Sequence, residues 1–188
     1  DVHGVSATVA YAMSAGPAEQ GQARIYKTLD GGSTWTLQWS DSTKGVFLDG
    51  FAFWDATHGV AFSDPVAGKL VILRTDDGAT WQKVDPANIP PGLPGEAAFA
   101  ASGTSITVQG KSNAWIATGG AREARVFRTT DGARTWQVSG AGIPGGQSSG
   151  FFGIAFTDAH RGIAVAGDYT VARSSGDVVM ATSDGGVT

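Results

Sequence analysis

One short pattern returns four times along this chain and constrains its fold more than any other feature. It reads Thr28-Leu29-Asp30-Gly31-Gly32-Ser33-Thr34-Trp35, then Arg74-Thr75-Asp76-Asp77-Gly78-Ala79-Thr80-Trp81, then Thr129-Thr130-Asp131-Gly132-Ala133-Arg134-Thr135-Trp136. The fourth copy, Thr182-Ser183-Asp184-Gly185-Gly186-Val187-Thr188, stops one position before its Trp. In the first three, Asp30, Asp76 and Asp131 stand five residues ahead of Trp35, Trp81 and Trp136. Asp and Gly suit a tight turn, the carboxylate accepting nearby backbone N–H groups while Gly accepts positive φ. The Trp then opens a strand and folds its indole back over the turn.

A second landmark fixes the rest of the unit. Phe53-Trp54-Asp55-Ala56-Thr57-His58-Gly59-Val60-Ala61-Phe62 aligns without gaps on Phe156-Thr157-Asp158-Ala159-His160-Arg161-Gly162-Ile163-Ala164-Val165. Each is an apolar strand, a polar turn closed by Gly and a second apolar strand, the pattern of a hairpin. Looser versions surround Ala114 and Thr8. Gly59 to Trp81 and Ala114 to Trp136 both span 22 residues, whereas Thr8 to Trp35 spans 27. Each unit therefore reads as strand A, turn, strand B, loop, strand C, repeated turn, strand D.

Nothing sustains helical periodicity, and the C strands, Lys69-Leu70-Val71-Ile72-Leu73 and Ala124-Arg125-Val126-Phe127-Arg128, are β-rich. The expected fold is all-β: a β-propeller of four-stranded antiparallel blades. The expected blades are about 1–40, 46–86, 97–140 and 150–188, the last incomplete, in a single propeller domain over 1–188. A β-sandwich gives no reason for the same turn to return every 46 to 55 residues (Trp35 to Trp81, Trp81 to Trp136). Open sheet edges favour closure. The expectation is a partial ring of six or seven blades from a parent chain of roughly 300–350 residues, extrapolated from the repeat length.

The repeated turn is similar to the Asp-box, S/T-x-D-x-G-x-T-W, of sialidases and related BNR-repeat propellers, with departures at Arg74 and Ala133. Further runs resemble a bacterial group of photosystem II stability/assembly factor-like proteins. They are Gly50-Phe51-Ala52-Phe53-Trp54-Asp55, Ser63-Asp64-Pro65-Val66, Pro94 to Thr104, Ala117-Thr118-Gly119-Gly120 and Gly167-Asp168-Tyr169. The resemblance covers nearly the whole chain. It implies an exported propeller, and its photosynthetic members assist assembly of a membrane complex.

Composition narrows the function classes. The 13 Lys+Arg against 17 Asp+Glu leave a net charge of −4, which argues against a general nucleic-acid or anionic-membrane binder. With no cysteine, thiolate metal sites and Cys nucleophiles drop out. No apolar run reaches the roughly 18 residues of a membrane-spanning helix. Low charge with much Gly, Ser and Thr suits a secreted or periplasmic protein.

In a propeller the B–C loops (here about 14–24, 63–69, 119–125 and 167–177) share one face with the D–A segments (about 40–47, 85–98 and 139–150). The catalytic candidates there are Asp64, Glu96, Asp168 and Tyr169, and the binding candidates are Arg122, Arg125, Ser102 and Ser148. Paired carboxyls with Arg and Tyr suit a glycosidase, one protonated as acid and another nucleophilic or basic. An Arg-Ile-Pro signature is absent, and Tyr169 lies in a different blade from Tyr11 and Tyr26, which does not fit a sialidase. Equally open is a set of solvated or structural loop charges.

Other apparent motifs fail on context. Gly146-Gln147-Ser148-Ser149-Gly150 fits G-x-S-x-G without the strand–turn–helix that chemistry needs. Gly140-Ala141-Gly142-Ile143-Pro144-Gly145 fits G-x-G-x-x-G without a following helix. His58 and His160 hold equivalent A–B turns, so repetition explains them. The acids Asp30, Asp76, Asp131 and Asp184 read as structural, one Asp per turn falling short of the oxygens Ca²⁺ needs. No metal and no cofactor is expected. Two functions remain: a non-enzymatic scaffold binding a protein or glycan partner on the B–C/D–A face, and a carbohydrate-active enzyme using its carboxylates.

Overall fold

The computed structural model describes residues 1–100, 103–171 and 179–188. Its strands form four antiparallel sheets, each in simple chain order. Blade 1 holds β1 (Val2–Gly4), β2 (Ala10–Ser14), β3 (Ala23–Thr28) and β4 (Thr36–Asp41). Blade 2 holds β5 (Leu48–Phe53), β6 (Gly59–Val66), β7 (Lys69–Thr75) and β8 (Gln82–Lys83). Blade 3 holds β9 (Ile106–Gln109), β10 (Asn113–Thr118), β11 (Glu123–Thr129) and β12 (Gln137–Pro144). Blade 4 shows three strands, β13 (Ser149–Phe156), β14 (Gly162–Asp168) and β15 (Val179–Thr182). In such a meander the first and third turns lie at one end. The second turn and the blade-to-blade link lie at the other, so the loop face is opposite the repeated turns.

The core sits between blades rather than within one. Tyr11, Ile25, Leu48, Phe53, Leu73 and Trp81 fill the space between blades 1 and 2. Val60, Phe62, Ile72, Ile116, Phe127 and Trp136 join blades 2 and 3. Trp115, Val126, Phe151 and Ile154 join blades 3 and 4. Side chains alternate along a strand. In β6, Val60 and Phe62 therefore face blade 3 while Ala61 faces blade 1. In β10, Ala114 and Ile116 face blade 2 while Trp115 and Ala117 face blade 4. Inner blades are covered on both sides, which is why these strands are unbroken apolar runs. The outer blades are not: Ile163, Val165 and Val179 on blade 4 stay exposed, as do Val2 and Leu37 on blade 1.

Polar bonds tie each blade to the turns of the next. The Tyr11 hydroxyl reaches the carbonyls of Ala56 and Gly78 at 3.0 and 2.9 Å. The indole of Trp54 donates to Asn113 O (2.7 Å) and that of Trp115 to Gly185 O (2.8 Å). Trp115 also stacks on Phe156, ring centroids 3.6 Å apart. Gly78 has φ +64°, and a Cβ there would fall 2.4 Å from the Tyr11 hydroxyl, so both turn and interface require glycine.

The repeated turn is held alike in all four copies. The Thr28 hydroxyl donates to Asp30, and Asp30 accepts from the N–H and hydroxyl of Thr34 at 2.8 and 2.6 Å. Asp131 with Thr129 and Thr135, and Asp184 with Thr182 and Thr188, repeat the pattern. Blade 2 corrects the sequence reading. There the accepting acid is Asp77, taking the Thr75 hydroxyl, the N–H groups of Ala79 and Thr80 at 2.8 Å, and the Thr80 hydroxyl. This copy is one residue shorter between Asp and Thr, so counting back five from Trp81 lands on Asp76, outside the turn's bonds. Asp76 instead pairs on the surface with Arg74 and, at 3.5 Å, with Arg134. Trp81 and Trp136 are buried and reach back to the preceding blade, whereas Trp35 of blade 1 is 42% exposed.

The loop boundaries also shift. β6 runs through Asp64 to Val66, and the hairpin turn is only Ala67-Gly68, both at positive φ. β12 continues past residue 140 to Pro144, so most of the G-x-G-x-x-G run is strand. No helix among the described residues is long and apolar enough to cross a membrane.

Candidate functional site

The first strands of neighbouring blades lie side by side, β5 against β9 and β9 against β13. Where their starts converge on the loop face, a cavity of about 660 Å³ opens, lined by Phe47, Asp49, Asp64, Ala98, Phe99, Ala100, Phe152 and Tyr169. A second cavity of about 360 Å³ lies between blades 3 and 4 beside β15. Among the described residues no titratable side chain lines it, and it continues the interblade packing.

Bulges build the loop-face cavity. Leu48 pairs with Ser63 and Gly50 with Phe62, leaving Asp49 as the extra residue of β5. Ser63 pairs with Val71 and Pro65 with Leu70, leaving Asp64 as the extra residue where β6 meets β7. Phe151 pairs with Ala166 and Gly153 with Val165, leaving Phe152 extra in β13. A bulge lets one side chain leave the pleat's alternation and points it elsewhere. Asp49 and Phe152 are the same position of the repeat in blades 2 and 4. Gly119 and Gly150 also meet here: a Cβ on Gly119 would lie 2.7 Å from Gly150 Cα, so the two backbones pack directly.

The two carboxyl groups are close neighbours and each influences the other's titration. Asp49 is 2% exposed, and its Oδ2 meets no N–H or hydroxyl donor among the described residues. Burial, reinforced by the charge of Asp64, pushes the Asp49 carboxyl up to about 9. Asp64 accepts the Ala98 N–H at 2.9 Å, yet burial raises it too. At neutral pH the pair therefore retains a proton. Phe99 and Phe152 pack with centroids 4.5 Å apart, and Tyr169 meets Phe99 edge-on at 5.9 Å. Tyr169 is 66% exposed, at the cavity's rim.

Of the residues predicted from sequence, the structure brings Asp64 and Tyr169 together and separates the others. Glu96 is not an accessible acid: its buried carboxylate accepts Arg125 Nε (3.0 Å) and Nη2, the Thr118 hydroxyl (2.6 Å) and the Leu93 N–H (2.7 Å). Arg125 is correspondingly spent on Glu96 and the Pro91 carbonyl, and so is unavailable to a ligand. Asp168 is bound by its neighbour, the Thr170 hydroxyl and N–H holding its pKa low. The Ser148 hydroxyl faces Thr170 at 3.4 Å. Arg122 is exposed, 3.8 Å from Glu123. Ser102 lies outside the described residues. Sequence reading missed Asp49, Phe47, Phe99 and Phe152. Extending the Phe53/Phe156 alignment a few residues upstream would have set Asp49 opposite Phe152. Among the described residues no three His, Cys, Asp or Glu side chains cluster as metal ligands would.

No family model matches the sequence, and no curated protein matches it. Solved structures do. "YCF48 bound to D1 peptide" is 18% identical with a TM-score of 0.55, covering 88% of this chain and 45% of its own. YCF48 from Cyanidioschyzon merolae is 19% identical with a TM-score of 0.56, covering 98% and 50%. The GH74 enzyme of Niastella koreensis is 16% identical with a TM-score of 0.59, covering 96% and 27%. The fold is a β-propeller. At these identities the likeness is one of fold, and the chain spans half or less of each of these propellers.

Proposed function

We propose that this chain is part of a non-enzymatic propeller scaffold whose loop-face cavity seats an extended segment of a protein partner. The observation that carries this reading is the cavity's makeup: aromatic walls around two neighbouring carboxyl groups. A glycosidase needs its two carboxyls about 5–9.5 Å apart to flank the scissile bond. Asp49 and Asp64 are close neighbours rather than a pair set apart across a sugar, and Glu96 is locked to Arg125. The structural likeness to a YCF48 that carries a D1 peptide supports a peptide as the occupant. We further propose an extracytoplasmic location, which cell fractionation tests.

The likeness to GH74 propellers favours the competing reading, a carbohydrate-active enzyme. One experiment separates them. The full chain is titrated with a library of extended peptides and incubated with a glycan panel that includes xyloglucan. Peptide binding weakened by Phe99→Ala and Tyr169→Ala, without glycan turnover, is the expected result. Glycan hydrolysis abolished by Asp64→Asn would overturn the scaffold reading.

A further inference from the structure

We propose that the loop-face cavity recognises an organic cation on an alkyl stem, a lysine or arginine side chain, with its charged head at Asp49 and Asp64 and its stem along Phe99 and Phe152. This rests on the partner-segment reading above and specifies its chemistry.

Three observations converge. Asp49 lines the cavity yet is almost fully buried, and no N–H or hydroxyl donor among the described residues meets its Oδ2. A buried acceptor left without a donor is costly, so a donor brought up to this carboxyl from the cavity would be favoured. Next, the ion pairs among the described residues involve Asp41, Asp55, Asp76, Glu96, Glu123 and Asp158, never Asp49 or Asp64. Among the described residues no Lys, Arg or His lines the cavity. Among the described residues the pair's charge is relieved by the backbone N–H groups of Asp64 and Ala98 and by a proton. Finally, the remaining walls are aromatic, and ring faces attract cations while the stem packs on their carbons.

A bound cation does the work of that proton. The pair holds one proton and one negative charge in the free state; the cation meets both carboxylates and the proton leaves to solvent. Binding therefore strengthens as pH rises towards the pKa of Asp49. Asp49, Asp64 and Tyr169 are the titratable groups lining the cavity among the described residues. Of the strands packed on β5, β2 adds only Tyr11, whose hydroxyl is committed to Ala56 and Gly78, and β9 adds none. An anionic ligand is excluded by sign.

The test uses N-acetyl lysine methylamide, its arginine counterpart and its norleucine counterpart, titrated into the full chain while the Ala98 amide is followed by NMR. The cations are expected to bind about tenfold more tightly than norleucine. That preference should vanish in both Asp49→Asn and Asp64→Asn, each checked for a native spectrum. Between pH 6 and 9 the lysine affinity should rise by up to about tenfold per unit while norleucine stays flat. Norleucine binding equal to lysine, or lysine binding that ignores pH and Asp49→Asn, would overturn the cation inference and leave the partner-segment reading standing. That reading fails separately, if no extended peptide of any composition perturbs the cavity.

Discussion

Glu96 and Arg125 form a buried two-point ion pair that clamps the segment between blades 2 and 3 onto blade 3. Around it, Thr118, Leu93 and Pro91 satisfy the remaining atoms, and the Arg125 guanidinium lies 5.1 Å from the centre of the Phe127 ring. The same segment continues into Ala98, bonded to Asp64, and Phe99 in the cavity wall. Removing one partner strands the other's charge. Glu96→Ala should cost about 3–5 kcal/mol in chemical denaturation. Its effect on ligand binding should come through the displaced Phe99, visible as a shifted Ala98 amide.

Asp77 rather than Asp76 is the acid of the second repeated turn. Asp77→Ala should lower the melting temperature clearly, whereas Asp76→Ala should leave it nearly unchanged. Hydrogen bonds, led by the Thr80 hydroxyl, hold Asp77 well below its ordinary pKa. Its contribution is therefore present above the unfolded carboxyl pKa and lost as pH falls through the lower folded value. The two variants should converge in melting temperature in strong acid. A larger loss from Asp76→Ala would show the turn assignment to be wrong.

Asp49 makes the opposite pH prediction. Its folded pKa of about 9 lies far above the unfolded carboxyl value, so the native state binds the extra proton between them. Stability from this group is full below the unfolded pKa and declines as pH rises, by up to about 1.4 kcal/mol per unit per proton, until it levels above the folded pKa. Asp49→Asn keeps the shape and discards the titration. Urea midpoints of the variant should match the native chain near pH 4 and exceed it progressively by pH 8.

Tyr11 tests the joint between blades 1 and 2. Its hydroxyl donates to a Gly78 carbonyl that also receives Lys27 Nζ (2.8 Å) and Gln38 Nε2 (3.1 Å). Tyr11→Phe keeps the stack on Phe53 (4.2 Å) and loses one buried bond, a cost of about 1–2 kcal/mol by equilibrium denaturation. Gly78→Ala should cost more, because positive φ and the approach of Tyr11 both oppose a Cβ.

The propeller was legible because its signals are local. A Thr, an Asp and a second Thr close each turn through bonds within a few residues, and the alternation of Val60, Ala61 and Phe62 follows from burial on both sides. The short second turn shows the limit: Asp76 and Asp77 are adjacent, and only the bonds choose between them. The cavity was less legible for a different reason. Glu96 resembles a free loop carboxylate until Arg125, 29 residues away, is seen to claim it. Asp49 carries no sequence signal because a bulge leaves no mark in hydrophobic periodicity; the extra residue shows only in the pairing of its neighbours.

That extra residue has an evolutionary meaning. Because it stands outside the ladder, the same slot can be acidic in blade 2 and aromatic in blade 4 while the flanking pairs, Leu48 with Ser63 and Phe151 with Ala166, keep their places. Selection can rewrite the chemistry of the central mouth one letter at a time without disturbing the frame that holds it. Propellers of one shape can in this way acquire unrelated ligands, and a copied blade arrives with a blank already cut for a new function.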